Sequence, residues 1–274
     1  MPLTSSHVVS NAAAADFAVA FANVSYELPG AQVDAQARLL LRDINLSLAP
    51  GTTTAVLGRS GSGKTTLLRM VNALLLPTSG EVRVAGHSTL ASDPIALRRS
   101  IGYVIQETGL FPHMTVERNA GLALELAGIS GAEYQRRTAE ALSLTGLDSV
   151  SPDFAEFRAR YPWQLSGGQR QRVGLARALA TDPGILLMDE PFGALDPLTR
   201  AEMQTMLRDL LARVGKTVLL VTHDLDEALY LAQRVVFLEH GEIVADLTSP
   251  AVLTSDNPHV RNYVRAVHRG GSAN

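Results

Sequence analysis

An α/β fold around a largely parallel sheet is what this chain predicts, and three features predict it. Strand-like runs rich in Val, Ile and Leu alternate with segments of helical periodicity. The string Gly58-Arg59-Ser60-Gly61-Ser62-Gly63-Lys64-Thr65 stands between an apolar strand and an amphipathic helix. Two carboxylates, Asp189 and Glu190, close the apolar run Ile185-Leu186-Leu187-Met188.

Composition agrees. The 274 residues suit one large domain or two small ones, and 46% hydrophobic with 19% charged residues excludes disordered and fibrous classes. The 24 basic and 27 acidic residues leave a net charge of -3, so no nucleic-acid partner is expected. The absence of cysteine excludes disulfides, thiolate metal sites and cysteine nucleophiles. Lys64 and Lys216 are the only lysines. No apolar run reaches the ~18–20 residues of a membrane-spanning helix, so the chain is expected neither to cross nor to enter a membrane.

Taken in order, Phe17–Leu28 and Leu39–Leu48 read as strands, with turns at Pro29-Gly30 and Pro50-Gly51. Thr52–Leu57 is a short β-branched strand. The helix after Lys64 places Leu67, Val71, Leu74 and Leu75 on one face. Glu81–Val84 and Ile101–Ile105 are further strands, with Asp93 and Pro94 starting a helix between them. From Phe111 to about Tyr161 the β-branched runs give way to Ala, Leu, Glu and Arg, which predicts a helical insert with a helix start at Thr115. A helix from Gly168, a strand Ile185–Met188 and a helix from Pro197 follow. Met203, Met206, Leu207, Leu210, Leu211 and Val214 share one face of the last of these. Then come a strand Thr217–Thr222, a helix from Asp224, and a hairpin Val235–Ala245 turning at His240-Gly241. Residues 1–18 read as a flexible Ala/Ser-rich leader that is a poor secretory signal. Residues 257–274 read as a short helix and a loose end, the last six a tail.

The chemistry follows from residue type and spacing. The glycines let backbone N–H groups curl around phosphate oxygens. The following helix adds roughly half a positive charge at its N-terminus. Lys64 brings a full charge to the β and γ phosphates, the Thr65 hydroxyl suits Mg²⁺, and Thr66 completes the cradle. Asp189 is placed to hold the Mg²⁺ shell, and Glu190 to polarise a water for attack on the γ-phosphate. Leu165-Ser166-Gly167-Gly168-Gln169 precedes a helix and offers a second anion cradle. Arg170 and Arg172 read as a polar helix face.

With that string the chain resembles the ATP-binding-cassette (ABC) family, whose signature is LSGGQ. The resemblance spans roughly residues 19–245. It implies a P-loop NTPase fold with a RecA-like core, an antiparallel β subdomain and an inserted helical subdomain at about 111–165. It implies ATP and Mg²⁺ as cofactors, and it assigns further roles. Gln106 resembles the Q-loop glutamine, a Mg²⁺ contact and catalytic partner. His223 resembles the switch histidine and Ala194-Leu195-Asp196 the D-loop. Tyr26 resembles the aromatic that stacks on adenine. The signature of one subunit closes over ATP held by the other, which implies a head-to-tail dimer of two copies.

Pro191-Phe192-Gly193-Ala194-Leu195-Asp196 resembles importer subunits that serve a permease and a solute-binding protein. Ile101–Gln106, Gly109–Thr115 and Tyr161-Pro162-Trp163-Gln164 are most similar to importers of the osmoprotectants glycine betaine, choline or proline. Two departures stand out: Glu107 replaces a common second Gln, and no room remains after about residue 268 for a regulatory domain. The resemblance implies a peripheral ATPase on the cytoplasmic face of the membrane, bound to integral permease subunits. Leu110, Phe111 and Pro112 are the expected apolar contact. Importers of another small solute (an amino acid, a sulfonate), soluble ABC ATPases and P-loop kinases are the rival classes. One cassette without heptads, and LSGGQ with the switch histidine, argue against the last two.

Overall fold

The computed structural model describes residues 17–28, 38–106, 108–148 and 153–268. The leader to residue 16, Pro29-Gly30, Glu107 and the tail from residue 269 lie outside the described residues.

β1 (Val19–Leu28) and β2 (Arg38–Leu48) pair antiparallel, with Val19 opposite Leu48. β3 (Thr53–Leu57) leads through the glycine-rich loop into α1 (Lys64–Val71). β4 (Ser79–Val84) returns antiparallel to β1, and β5 (His87–Ser88) lies on β4. These strands form a four-stranded antiparallel sheet in the order β2-β1-β4-β5. α2 (Pro94–Arg99) starts at Asp93, whose carboxylate accepts from the Ile95 amide, and precedes β6 (Ile101–Val104).

Three helices then leave the sheets: α3 (Val116–Leu126), α4 (Gly131–Leu144) and α5 (Phe154–Ala159). α6 (Gly167–Leu179) re-enters the body and leads to β7 (Ile185–Asp189) and α7 (Pro197–Val214). β8 (Thr217–Thr222), α8 (Leu225–Leu231), β9 (Arg234–Glu239) and β10 (Glu242–Thr248) follow. The described chain ends in α9 (Ser249–Val252) and α10 (Pro258–His268). The second sheet has six strands in the order β10-β9-β3-β8-β7-β6. Its pairings are parallel except for β10, which pairs antiparallel at the edge.

Strand alternation builds the core on both faces of the parallel sheet. Ala55, Leu57, Leu186, Met188, Val218 and Leu220 pack against Leu175, Met203, Leu207 and Leu225 of the helices on one side. Val56, Leu187, Leu219 and Val221 pack on the other side, against α1 and the inner face of the antiparallel sheet. A separate cluster of Val116, Ala120, Leu124, Leu142, Leu147 and Phe157 holds the helical lobe and borrows Val173 and Ala176 from α6. The Arg136 ion pairs to Glu133 and Glu140 lie on the exposed face of α4 and contribute little; the apolar cluster holds the lobe together.

The hairpin forms where expected. His240 and Gly241 both take positive φ, 50° and 80°, as a tight two-residue turn between twisted strands requires. Gly241 also packs flat on β2, where an added Cβ would lie 2.3 Å from the Leu40 carbonyl oxygen. The helix after Lys64 is shorter than its periodicity predicts. It ends at Val71, because Ala73 adopts φ 51° and turns the chain back, so the amides of Leu74 and Leu75 both donate to the Arg69 carbonyl. Leu75 still reaches the core, whereas Leu74 is exposed. The strand expected to run to Ile105 stops at Val104.

Candidate functional site

β3 and β8 run side by side with Leu57 opposite Thr222, and β7 pairs with β8 so that Asp189 faces Val221. Three loops therefore leave the sheet at one level. They enclose a cavity of about 690 Å³ lined by Arg59, Lys64, Thr65, Gln106, Glu190, His223 and Tyr263 among others. Such crevices at the carboxyl ends of parallel strands are where α/β folds bind ligands.

The glycine-rich loop is tightly built. Gly58 lies so close to β9 that a Cβ would meet the Leu238 carbonyl oxygen at 2.3 Å. Gly61 and Gly63 adopt φ 79° and 104°, left-handed conformations that glycine takes without strain. The Lys64 ammonium donates to the carbonyls of Gly58 (2.8 Å) and Arg59 (3.0 Å), which holds it inside the loop. Burial holds its pKa below the ordinary lysine value, with Glu190 and Asp189 opposing the shift.

Asp189 is buried at the end of β7, and burial pushes its carboxyl pKa up against the hydrogen bond from Thr65. The Thr65 hydroxyl donates to Asp189 Oδ1 at 2.9 Å, and the Tyr103 hydroxyl reaches Oδ2 at 3.4 Å. Thr65, Gln106 and Asp189 also line one neighbouring cavity of about 440 Å³. These hard oxygen donors suit a small divalent cation that takes its remaining ligands from water and phosphate.

Glu190 is held in an unusual backbone conformation, φ 43°, with its amide donating to the Val221 carbonyl at 3.0 Å. Its Oε2 collects two partners: Gln106 Nε2 at 3.4 Å and His223 Nδ1 at 3.3 Å. A carboxylate at the mouth of a phosphate cradle, flanked by an amide and an imidazole, has the makings of a general base with its orienting groups.

Ser166 caps α6: its hydroxyl accepts from the Gln169 amide, and the Gln169 side chain accepts from the Ser166 amide. Leu165, Ser166, Gly167, Gly168 and Gln169 thus form a pre-organised turn at a helix N-terminus, but none lines the cavity over the glycine-rich loop. Asp196 likewise caps α7 by accepting from the Thr199 amide. Arg170 and Arg172 are more than a polar face. Arg170 donates to the Leu165 carbonyl just before the turn, and Arg172 donates to the Thr145 carbonyl, tying α6 to the end of α4.

The structure thus brings Arg59, Ser60, Gly61, Gly63, Lys64, Thr65, Thr66, Gln106, Glu190 and His223 to one cavity, with Asp189 bonded to Thr65 beneath. Gly58 and Ser62 stand in the same loop and line two separate adjoining clefts, each beside Leu238. Tyr26 is not in that group. It is half-buried on β1, opposite Leu41, and packs on the core beneath the antiparallel sheet, while Leu40 of β2 reaches the cavity.

Sequence reasoning missed Tyr103, Glu227 and Tyr263. Glu227 left a local sign, since Asp224 caps α8 and Glu227 stands three residues on. Its carboxyl accepts from the Thr222 hydroxyl at 2.9 Å, directly under His223, and burial raises its pKa to about 7. Tyr263 left none, because its partner is 40 residues away.

Residues 41–193 match the family described as ABC transporter. The chain is 46% identical over 228 residues to the glycine betaine uptake system ATP-binding protein YehX of Escherichia coli K12, covering 83% of this chain and 72% of that protein. It is 44% identical over 225 residues to the carnitine transport ATP-binding protein OpuCA of Listeria monocytogenes, covering 82% of this chain and 55% of that protein. It is 46% identical over 204 residues to the choline transport ATP-binding protein OpuBA of Bacillus subtilis, covering 74% and 52%. The chain therefore spans little more than half the length of the latter two relatives. Among solved structures, the ATP-binding cassette MJ0796 in a dimeric post-hydrolysis state bound to ADP and Pi is similar at a TM-score of 0.73. It is 35% identical and covers 84% of this chain and 98% of that one.

Two expectations follow from the site. Lys64→Ala should keep the fold, because Lys64 borders the cavity and bonds only carbonyls of its own loop, yet abolish tight nucleoside-triphosphate binding. Calorimetric titration with ATP checks this, and unchanged affinity refutes the assignment. Glu227 has a folded pKa near 7, above its ordinary value of 4.5, so the folded state holds more protons than the unfolded state between those values. Glu227 therefore removes stability as pH rises through that window. Glu227→Gln keeps an acceptor for Thr222, so its melting temperature relative to the parent should be higher at pH 8 than at pH 5. An equal difference at both pH values contradicts the burial account.

Proposed function

The chain belongs to the ABC transporter family, and from that premise we propose that it is the ATP-hydrolysing, energy-coupling subunit of an importer for osmoprotectants such as glycine betaine, choline or proline. One observation supports hydrolysis above all: Gln106 and His223 both reach Oε2 of Glu190 at the edge of the glycine-rich cradle. The names of the relatives, transporters of glycine betaine, carnitine and choline, support the solute class.

In the proposed reaction the loop amides and Lys64 hold the β and γ phosphates, and their charge offsets what builds up on the transferring group. Thr65, Gln106 and Asp189 would hold Mg²⁺, which supplies charge neutralisation across the phosphates. Glu190 accepts the proton of the attacking water. Gln106 and His223 fix the carboxylate, and His223 stands where it can sense the γ-phosphate.

Ser166 to Gln169 form a second anion cradle outside the first cavity, so one copy alone leaves it without a phosphate to bind. Two copies arranged head to tail satisfy both cradles of both chains, with Asp196 at the seam. The dimeric state of the similar solved cassette is consistent with this arrangement.

Permease docking falls to a different surface. A groove of about 530 Å³, apolar in most of its lining, runs between α2, α3 and the loop after Gln106. Ile95, Phe111 and Leu126 line it and are exposed. The loop is rigid at its base. The buried Asn119 side chain accepts from the Phe111 amide and donates to the carbonyls of Phe111, Met114 and Thr115. A permease segment seated there would press on the loop that carries Gln106, which is the coupling required. No helix among the described residues is long and apolar enough to cross a membrane. The relatives' names as ATP-binding proteins of transport systems support integral permease partners and a peripheral position on the cytoplasmic face. Selectivity resides in the permease and its solute-binding protein. Stimulation of ATPase activity by glycine betaine or choline in the reconstituted complex tests the solute class, and stimulation only by an unrelated solute reassigns it.

Glu190→Gln should retain ATP binding, lose roughly 10²–10⁴-fold in hydrolysis, and accumulate as an ATP-bound dimer on size-exclusion chromatography. A variant that binds ATP and stays monomeric argues against the paired cradles. Phe111→Asp should leave basal ATPase activity intact and abolish co-purification with the permease, since a carboxylate desolvated in an apolar contact is costly. Normal assembly of that variant returns Phe111 to ordinary packing of the lobe.

A further inference from the structure

The His223 side chain is exposed, yet the main chain that aims it is tied down from two directions. Below, the Thr222 hydroxyl bridges the Glu227 carboxylate and the Asp224 amide. Above, the Tyr263 hydroxyl donates to the carbonyl oxygen of His223 itself at 2.7 Å.

Tyr263 sits on α10, and α10 is anchored independently of the switch loop. Val260 is fully buried in the core against which the helices pack. The Tyr263 ring meets Phe237 of β9 edge to face, with centroids 5.8 Å apart. His259 bonds the Glu239 carboxylate, and the Asn257 side chain donates from Nδ2 to the Val244 carbonyl. The phenol therefore projects from a rigid mount onto the one peptide whose orientation decides where the imidazole points. The imidazole in turn stands 3.3 Å from Glu190.

We propose that Tyr263 is a positioning residue for hydrolysis: its hydroxyl holds the His223 peptide so that the imidazole stays in reach of Glu190, and α10 thereby controls the hydrolytic step. The inference rests on the proposed ATPase activity. Burial pushes the phenol pKa up to about 12, so it remains a donor throughout the physiological range. Tyr263 also borders the nucleotide cavity, which makes a role as a simple wall the competing account.

Tyr263→Phe separates the two, because it keeps the ring on Phe237 and removes only the hydrogen bond. Steady-state Mg-ATPase assays on the full chain should show kcat lowered about three- to tenfold, the worth of one neutral hydrogen bond, with KM for ATP within about twofold of the parent. In the His223→Ala background the same change should have no further effect on residual hydrolysis, because the group it positions is gone. In the Glu190→Gln background it should leave ATP-driven dimerisation unchanged, which also shows that the variant folds. Unchanged kcat, a raised KM at constant kcat, an equal loss without His223, or a lost ATP dimer each overturns the proposal. A parent chain with no Mg-ATPase activity overturns the hydrolytic reading and this inference together, whereas the variant outcomes bear on Tyr263 alone.

Discussion

Leu57 pairs with Thr222 and Asp189 with Val221, and these main-chain pairings hold the whole site in place. Because β3, β8 and β7 are parallel and in register, the glycine-rich loop, Glu190 and His223 emerge at the same height from one edge of the sheet. A slip of one residue would carry the carboxylates about 3.3 Å along the strand and turn alternate side chains to the opposite face. Burial of Val56, Leu187, Leu219 and Val221 on one face and Leu57, Leu186, Met188 and Leu220 on the other makes such a slip prohibitive. The core serves the chemistry by fixing register.

The second condition is electrostatic. Lys64 and Asp189 are both buried, and burial disfavours the charged form of each. Each is kept by polar neighbours: Lys64 by two loop carbonyls, Asp189 by Thr65 and Tyr103. Isolated, either would be costly in the interior. A polyphosphate with a divalent cation adds opposite charge to both, so a ligand of that kind relieves a penalty the fold already carries.

Helix α6 ties the turn at Ser166 to the loop after Gln106. Its N-terminus is the capped turn from Ser166 to Gln169, and farther along it Arg177 donates to the carbonyls of Thr108 and Gly109. The loop after Gln106 is thus bonded to the same helix that carries the capped turn. A displacement at the apolar groove has a short, hydrogen-bonded route to that helix, without passing through the sheet.

Local chemistry was legible in the sequence because it is encoded locally. The phosphate loop needs glycines at positive φ beside a lysine, Asp93, Thr115 and Asp224 announce helix starts by their caps, and His240-Gly241 announces a tight turn. Most β strands were legible to within a residue or two from their apolar runs, but the two-residue β5 was not foreseen and β10 runs on to Thr248, past the expected end at Ala245. The length of α1 was not, since nothing in its periodicity foretells that Ala73 will take a left-handed turn. Nor was the place of Tyr26, since an aromatic in a strand leaves ligand and core both open; it stands half-buried on β1, between β2 and β4, against the core and apart from the residues that line the cavity. Glu227 and Tyr263 depend on contacts made only when α8 and α10 dock under and over the His223 peptide. Spacing along a chain specifies what a segment can do by itself, whereas a hydrogen bond across forty residues exists only once packing has brought its two ends together.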